Sequence, residues 1–294
     1  VTMQVIQSID EFRRQKRRLC YEFAADSQRR PGVGFVPTMG NLHEGHLSLI
    51  RRMVDECDVS VVSIFVNPAQ FAEGEDFGKY PRTPEADLMQ CEDAGVDIVF
   101  LPESEMLYAH DHSTEVIVRQ LTDGYCGSAR PGHFAGVTLV VAKLLNIVHP
   151  DVAYFGQKDF QQFRVIERMV RDLDFPLNIV MSPTVREPDG LAMSSRNAYL
   201  KEDERKAAAT IYLGLQALAG AFAFGQEDAE TLKEVARTEL AEAVQLEYLE
   251  IADAWSLEPK ETAASGDVVL IAAKVGDTRL IDNTVLVSGD ENAN

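Results

Sequence analysis

At 294 residues the chain is long enough for one large or two medium domains, each with its own core. With 46% hydrophobic and 26% charged residues it reads as an ordinary soluble protein, and no apolar run reaches the roughly 18 residues a membrane span needs. The formal net charge of −19 argues against nucleic acid as the main partner, because a phosphate backbone needs a basic surface; a small anion held by local cations stays open. The opening "VTMQVIQSIDEF" has no secretory pattern, and Val1 and Thr2 read as residues added ahead of Met3. Cys20, Cys57, Cys91 and Cys126 are widely spaced with no C-x-x-C, which predicts free thiols in a reducing, cytoplasmic compartment.

Strand-length apolar runs alternate with helix-period stretches along the first part of the chain. "GVGFVP" predicts a strand and "GHLSLIRRMVDEC" the helix after it. "VSVVSIFV" and "VDIVFLP" predict strands on either side of a helix in "PEADLMQCEDAG". Helices in "GVTLVVAKLLNIVH" and "FQQFRVIERMVRDL" bracket the strand "DVAYFG", and "LNIVMSP" supplies one more. Continuous apolar strands in βαβα order predict an α/β fold: a doubly wound parallel sheet covered on both faces, with ligands at the carboxyl ends of its strands. The two prolines and the Pro-Asp-Gly turn of "SPTVREPDG" mark a change of pattern. Residues 1–185 are therefore assigned to the first domain and 186–294 to a second, smaller α+β domain. In the latter, helices near 202–220 and 227–245 precede strands in "LEYLEIADA", "DVVLIAAKV" and "TRLIDNTVLV". The tail "SGDENAN" is expected to be disordered, and the glycine-containing acidic stretch "AEGEDFGK" (72–79) to be a mobile flap.

Only 6 histidines occur in the chain, and two of them lie in "PTMGNLHEGH" (37–46). The predicted strand, glycine-containing loop and helix starting near Glu44 place unpaired N–H groups and a positive dipole end at that loop, which suits phosphate. His43 and His46 can share one side of the first turn, and Gly40 and Gly45 let a ligand approach the backbone. Two imidazoles can donate to phosphate oxygens as charge builds in a transition state; solvent-facing histidines in a capping loop are the plainer alternative. In "YFGQKDFQQF" (154–163), Gly156 permits close approach, Lys158 offers a point charge and Asp159 an acceptor for ribose hydroxyls. A solvated Lys-Asp pair in a turn explains the same residues. Ser194, Ser195 and Arg196 in "GLAMSSRN" suit a pyrophosphate, or form a polar interdomain loop. The amides of Asn67 and Gln70 in "IFVNPAQF", with Gln161 and Gln162, suit a small hydroxylated acid. Gln161 is expected to be an exposed helix residue, and His110, His112 and His149 surface or loop residues.

These blocks carry a resemblance. H-x-G-H followed by Met-Ser-Ser-Arg resembles the nucleotidyltransferase superfamily related to class I aminoacyl-tRNA synthetases. More narrowly, "PTMGNLHEGH", "FVNPAQF", "YPRTPEAD", "RPGHFAGV", "FGQKDFQQ", "DGLAMSSRNAYL" and "RLIDN" look like the pantothenate synthetase (pantoate–β-alanine ligase) family, in order from Met3 to about Asn283. The resemblance implies a Rossmann-like sheet and condensation of pantoate with β-alanine at the expense of ATP, through a pantoyl adenylate, releasing AMP and pyrophosphate. It implies an ATP site at Met39, Gly40, Asn41, Leu42, His43, Glu44, Gly45, His46, Gly156, Gln157, Lys158, Asp159, Val185, Met193, Ser194, Ser195 and Arg196. His46 would be the family's proton donor. Gln70 and Gln162 would hold pantoate, and Gln70 would reach β-alanine; Asn67 joins this substrate set from the reading of the "IFVNPAQF" amides. Magnesium with ATP and a homodimer are further implications; no metal ligand is assigned. Ala135 follows "GHF" where some relatives carry a charge, so His133 and Ala135 are left out of the catalytic set. The rival readings are another adenylyltransferase of this fold, which would need a second phosphate site, and a non-catalytic nucleotide sensor.

Overall fold

The computed structural model describes residues 2–72 and 74–289. The chain divides into two compact units, described separately below. The first comprises residues 1–122, 127–156 and 162–183; the second comprises 123–126, 157–161 and 184–294.

The first unit is built on six strands: β1 (Gln4–Ile6), β2 (Val33–Thr38), β3 (Val59–Ile64), β4 (Ile98–Phe100), β5 (Val152–Gly156) and β6 (Asn178–Ser182). They pair in the order β1-β4-β3-β2-β5-β6, parallel throughout. Successive side chains of a strand point to opposite faces, and the burial follows that rule. Phe35, Val61, Ile98 and Phe100 enter one core with Phe12 of α1 (Ile9–Ser27) and Val141 and Leu145 of α6 (His133–Val148). Their neighbours Val36, Val62 and Val99 enter the opposite core with Ile50 and Met53 of α2 (Glu44–Glu56) and Cys91 of α3 (Pro84–Asp93). Both faces are covered, which explains the unbroken apolar strands. The chain winds outward from β2 through β3 to β4, then crosses to β5 on the other side of β2. The strand order reverses there, and a sheet of this kind opens a ligand crevice at such a point.

β1 and α1 are elements that the sequence patterns leave unassigned. β1 is short, and α1 buries only Phe12 and Leu19. α4 (Ser104–Leu107) and α5 (Cys126–Ala129) are single turns, too short for periodicity to mark. α7 (Phe160–Asp172) completes the covering layers. No helix among the described residues is long and apolar enough to cross a membrane.

The second unit packs α8 (Glu202–Ala223) and α9 (Ala229–Glu239) against the antiparallel sheet β7 (Val244–Ala252), β8 (Val268–Val275) and β9 (Thr278–Val285). Ile211, Leu215, Leu232, Ile251, Val269 and Ile271 form its core. The helix expected over 227–245 ends at Glu239, because Val244 already pairs with Val275 as the first residue of β7. Residues 290–294 of the tail expected to be disordered lie outside the described residues, as does Glu73 of the expected flap. The rest of that flap holds a 3-10 turn at Asp76–Gly78.

Candidate active site

In the first unit the loop from β2 to α2 carries Met39–His43. Gly40 and Asn41 both have positive φ, +81° and +49°, which turns the chain sharply off the strand. Thr38 Oγ1 donates to the Ser63 carbonyl at 2.8 Å and anchors the start of the loop. Its middle is held by a residue that site reasoning on the sequence missed. Asp87 on α3, 2% exposed, accepts from Asn41 N–H at 3.0 Å, Leu42 N–H at 2.8 Å and Thr83 Oγ1 at 3.1 Å. A Cβ at Gly40 would lie 2.9 Å from the same carboxylate, so glycine also makes room for it. The signal was present in "YPRTPEAD", but an acid on a helix reads first as a solvated group.

His43 is the N-cap of α2. Its Nδ1 accepts from Gly45 N–H at 3.2 Å, and Nδ1 of His46 accepts from His43 N–H at 3.3 Å. A backbone N–H only donates, so both Nδ1 atoms are acceptors and the proton of each neutral ring sits on Nε2. The rings stack 4.1 Å apart at 37°. Two Nε2–H donors thus sit together at the positive end of a 13-residue helix, where an anion is favoured. Glu44 and Gly45 open that helix, and Glu44 pairs with Arg51.

The 3-10 turn after β3, Pro68–Gln70, buries Asn67 and Gln70. Gln70 Nε2 lies 3.0 Å from Met39 Sδ, which joins this turn to the histidine loop. The Gln70 carbonyl is 2.8 Å from His133 Nδ1 and 3.4 Å from Arg130 Nη2. Arg130 Nη1 lies 3.0 Å from His133 Nε2 and, as a guanidinium, must donate, so His133 carries its proton on Nδ1 and donates to Gln70. Arg130 also grips Glu75 at 2.6 and 2.7 Å. Burial raises the Glu75 carboxyl, and the Arg130 ion pair more than reverses this, leaving it below its ordinary range. His133 is therefore a buried structural partner of the Gln70 turn. Gln162 is half-buried in the first turn of α7, and Gly156 ends β5 opposite Ser182.

The second unit gathers the remaining candidates on three segments. Lys158 Nζ lies 3.6 Å from Asp159 Oδ1. The carbonyls of Gln157 and Lys158 accept from Asn283 Nδ2 at 2.8 and 2.9 Å. Asn283, 2% exposed on β9, thereby fixes the backbone that carries Lys158. Its neighbour Asp282 grips Arg186 at 2.6 and 3.0 Å. Val185 and Met193 pair through their backbones at 3.0 Å, and Ser194 caps the turn Ser195–Tyr199 by accepting from Arg196 N–H at 3.3 Å. "RLIDN" is thus a clamp for two of these segments. Gln161 corrects an expectation: it is 5% exposed, accepting from Cys126 N–H at 3.0 Å and donating to the Gly124 carbonyl at 2.9 Å. An amide that satisfies two backbone groups belongs inside.

The profile of the pantoate-beta-alanine ligase family matches residues 4–285. The pantothenate synthetase of a Sulfurihydrogenibium species is 53% identical over 85% of this chain and 91% of its own. That of Thermotoga petrophila is 48% identical over 97% of this chain and 100% of its own. Among solved structures, the pantothenate synthetase of Thermus thermophilus superposes with a TM-score of 0.88 at 40% identity, covering 96% of this chain and 99% of that one. The Francisella tularensis pantoate-beta-alanine ligase, solved with a βγ-ATP ligand and β-alanine, gives 0.76 at 31%, covering 96% and 97%. With its parallel sheet, smaller antiparallel unit and histidine-capped helix, the chain belongs to the pantoate–β-alanine ligase family.

Proposed function

We propose that this chain condenses pantoate with β-alanine at the expense of ATP, and that the residues assembled above perform the two half-reactions. A pantoate carboxylate oxygen attacks the α-phosphorus of ATP; the bond to the bridging oxygen breaks and pyrophosphate leaves. The β-alanine amine then attacks the acyl carbon of the pantoyl adenylate, AMP departs with the attacking oxygen, and the amine loses a proton. The observation that carries this reading is the pair of Nε2–H donors on the two histidines whose Nδ1 atoms cap α2. Each ring gives up Nδ1 to the backbone and presents a fixed donor, suited to non-bridging α-phosphate oxygens as phosphorus becomes five-coordinate. His46 then acts as a hydrogen-bond donor with its proton retained, a narrower role than proton donor. Backbone groups of Met39–Gly45, with Gly156, Gln157, Asp159, Val185 and Met193, line ATP in this reading.

Lys158, Ser194, Ser195 and Arg196 receive the β- and γ-phosphates, and Gln70 and Gln162 hold the acid. Magnesium bound with ATP would supply charge neutralisation at the pyrophosphate, beside Lys158 and Arg196. Phosphate oxygens and water suit its shell, and the described residues gather no cluster of three metal-ligating side chains. The reading extends to a cytoplasmic homodimer with neither nucleic acid nor membrane as partner. Pantoate labelled with heavy oxygen in its carboxylate tests the chemistry. One label should appear in AMP and none in pyrophosphate, and labelled pyrophosphate should exchange into ATP with pantoate but without β-alanine. Label in inorganic phosphate with ADP as co-product would exclude the adenylate.

A further inference from the structure

Asn67 has every hydrogen-bonding position of its amide engaged. Oδ1 accepts from Ala69 N–H at 3.3 Å and from Tyr108 OH at 2.7 Å. Nδ2 donates to the Gly136 carbonyl at 3.1 Å and to Gln70 Oε1 at 3.1 Å. Two of these partners are backbone groups of fixed polarity, a donor on one side and an acceptor on the other. They settle which amide atom is oxygen. The atom of Gln70 that faces Asn67 must then accept, so it is Oε1, and Gln70 Nε2 is turned the other way. There its contact is Met39 Sδ at 3.0 Å, a weak acceptor for a donor with two hydrogens on a residue only 8% exposed.

We infer that Tyr108 and Asn67 are positioning residues in a relay: the backbone sets the polarity of the Asn67 amide, Tyr108 holds that amide in place, and Asn67 in turn fixes the polarity of Gln70, so that Gln70 meets pantoate as an N–H donor to one of its oxygens. Asn67 acts through Gln70 and does not itself touch the acid. Tyr108 lies just past α4, outside every motif block, and its ring packs against Phe65 and His112. Burial pushes its hydroxyl up to about 12, so it remains a donor at any working pH. The direction matters because the ligand is an anion. An N–H₂ end attracts a carboxylate oxygen, which can only accept, whereas a flipped amide would set lone pair against lone pair there. The relay rests on the reading that Gln70 holds pantoate.

Pantoate and ATP affinities measured separately by calorimetry test it in Tyr108→Phe, Asn67→Asp, Gln70→Ala and the double variant Tyr108→Phe/Gln70→Ala. Tyr108→Phe should weaken pantoate up to about tenfold, the worth of one buried hydrogen bond. Asn67→Asp presents oxygen to Gln70, reverses its amide and should weaken pantoate by about 100-fold or more. ATP affinity should stay within about twofold in both, and the double variant should bind pantoate no worse than Gln70→Ala alone. If Gln70→Ala leaves pantoate affinity intact, the assignment of Gln70 to the acid is wrong. If Gln70→Ala weakens pantoate but the Tyr108→Phe effect is absent, or multiplies fully in the double variant, the relay is overturned. Because Tyr108→Phe removes one oxygen, it decides the matter even if Asn67→Asp fails to fold.

Discussion

Asp87 shows how one buried carboxylate sets the geometry of the loop that carries the proposed catalytic histidines. Its buried carboxylate takes two consecutive backbone N–H groups of the histidine loop. Asp87→Asn replaces one acceptor oxygen with a donor, leaving an N–H of Asn41 or Leu42 facing N–H₂ at roughly 1–3 kcal/mol. Pyrophosphate exchange should slow about 10- to 100-fold, with a smaller change in pantoate affinity; unaltered exchange in a folded variant would show that the loop holds itself. His46→Ala removes a donor outright and should lose about 2.7–4 kcal/mol of transition-state stabilisation, by analogy with removing an oxyanion donor. Single-turnover adenylate formation measures this loss, and near-normal rates with folding intact would take His46 out of the mechanism. The histidines and Lys158 stand out in the sequence as candidates because their types are scarce and chemically pointed. Asp87, Tyr108 and Asn283 do not, because a carboxylate, a phenol or an amide acquires its role only from the groups that fold around it.

At the scale of elements, close approaches decide which side chains can exist. Gly136 in the first turns of α6 has no room for a Cβ, which would overlap the Ala69 backbone of the 67–70 turn. Since backbone cannot swing aside, Gly136→Ala must push α6 and the turn apart, destabilising the protein by about 1–3 kcal/mol. The urea midpoint should fall accordingly, and pantoate affinity should fall with it because Asn67 loses its Gly136 partner. A stable variant with unchanged pantoate binding would contradict this packing account. In the second unit, Asn283 on β9 does for the Lys158 backbone what Asp87 does for the histidine loop. The strands and long helices were readable because burial on two faces, or on one, writes its period into the sequence. β1 and the single turns α4 and α5 were not, since a handful of residues contains no period to read.

For the molecule as a whole, the clearest pH effect lies on the alkaline side. Cys91 is fully buried on α3, and burial pushes its thiol from 9.0 up to about 12. Between those values the unfolded chain releases the proton while the folded chain keeps it, so the unfolded state binds fewer protons and stability falls as pH rises. The slope for this one group is about 1.4 kcal/mol per pH unit. Tyr108 and Tyr125, each raised by burial to about 12, act in the same direction. Chemical denaturation from pH 8 to 11 should show the decline, and Cys91→Ala should flatten part of it once its own cavity cost is subtracted. An equally steep decline in that variant would assign the effect to other groups.

The sequence by itself determined the class of fold, the change of pattern past the Pro-Asp-Gly turn and the motif blocks that place the chain in its family. Those properties follow from local periodicity, turn chemistry and residue type, which are one-dimensional. Only the tertiary structure decided that Gln161 is an internal tie, and that α9 stops at Glu239 so that β7 can begin at Val244. It alone fixed which nitrogen of His43, His46 and His133 carries the proton, and which end of the Gln70 amide is turned outward. Hydrogen-bond polarity is the reason: a side chain with both a donor and an acceptor has no direction until the fold sets groups of fixed polarity against it.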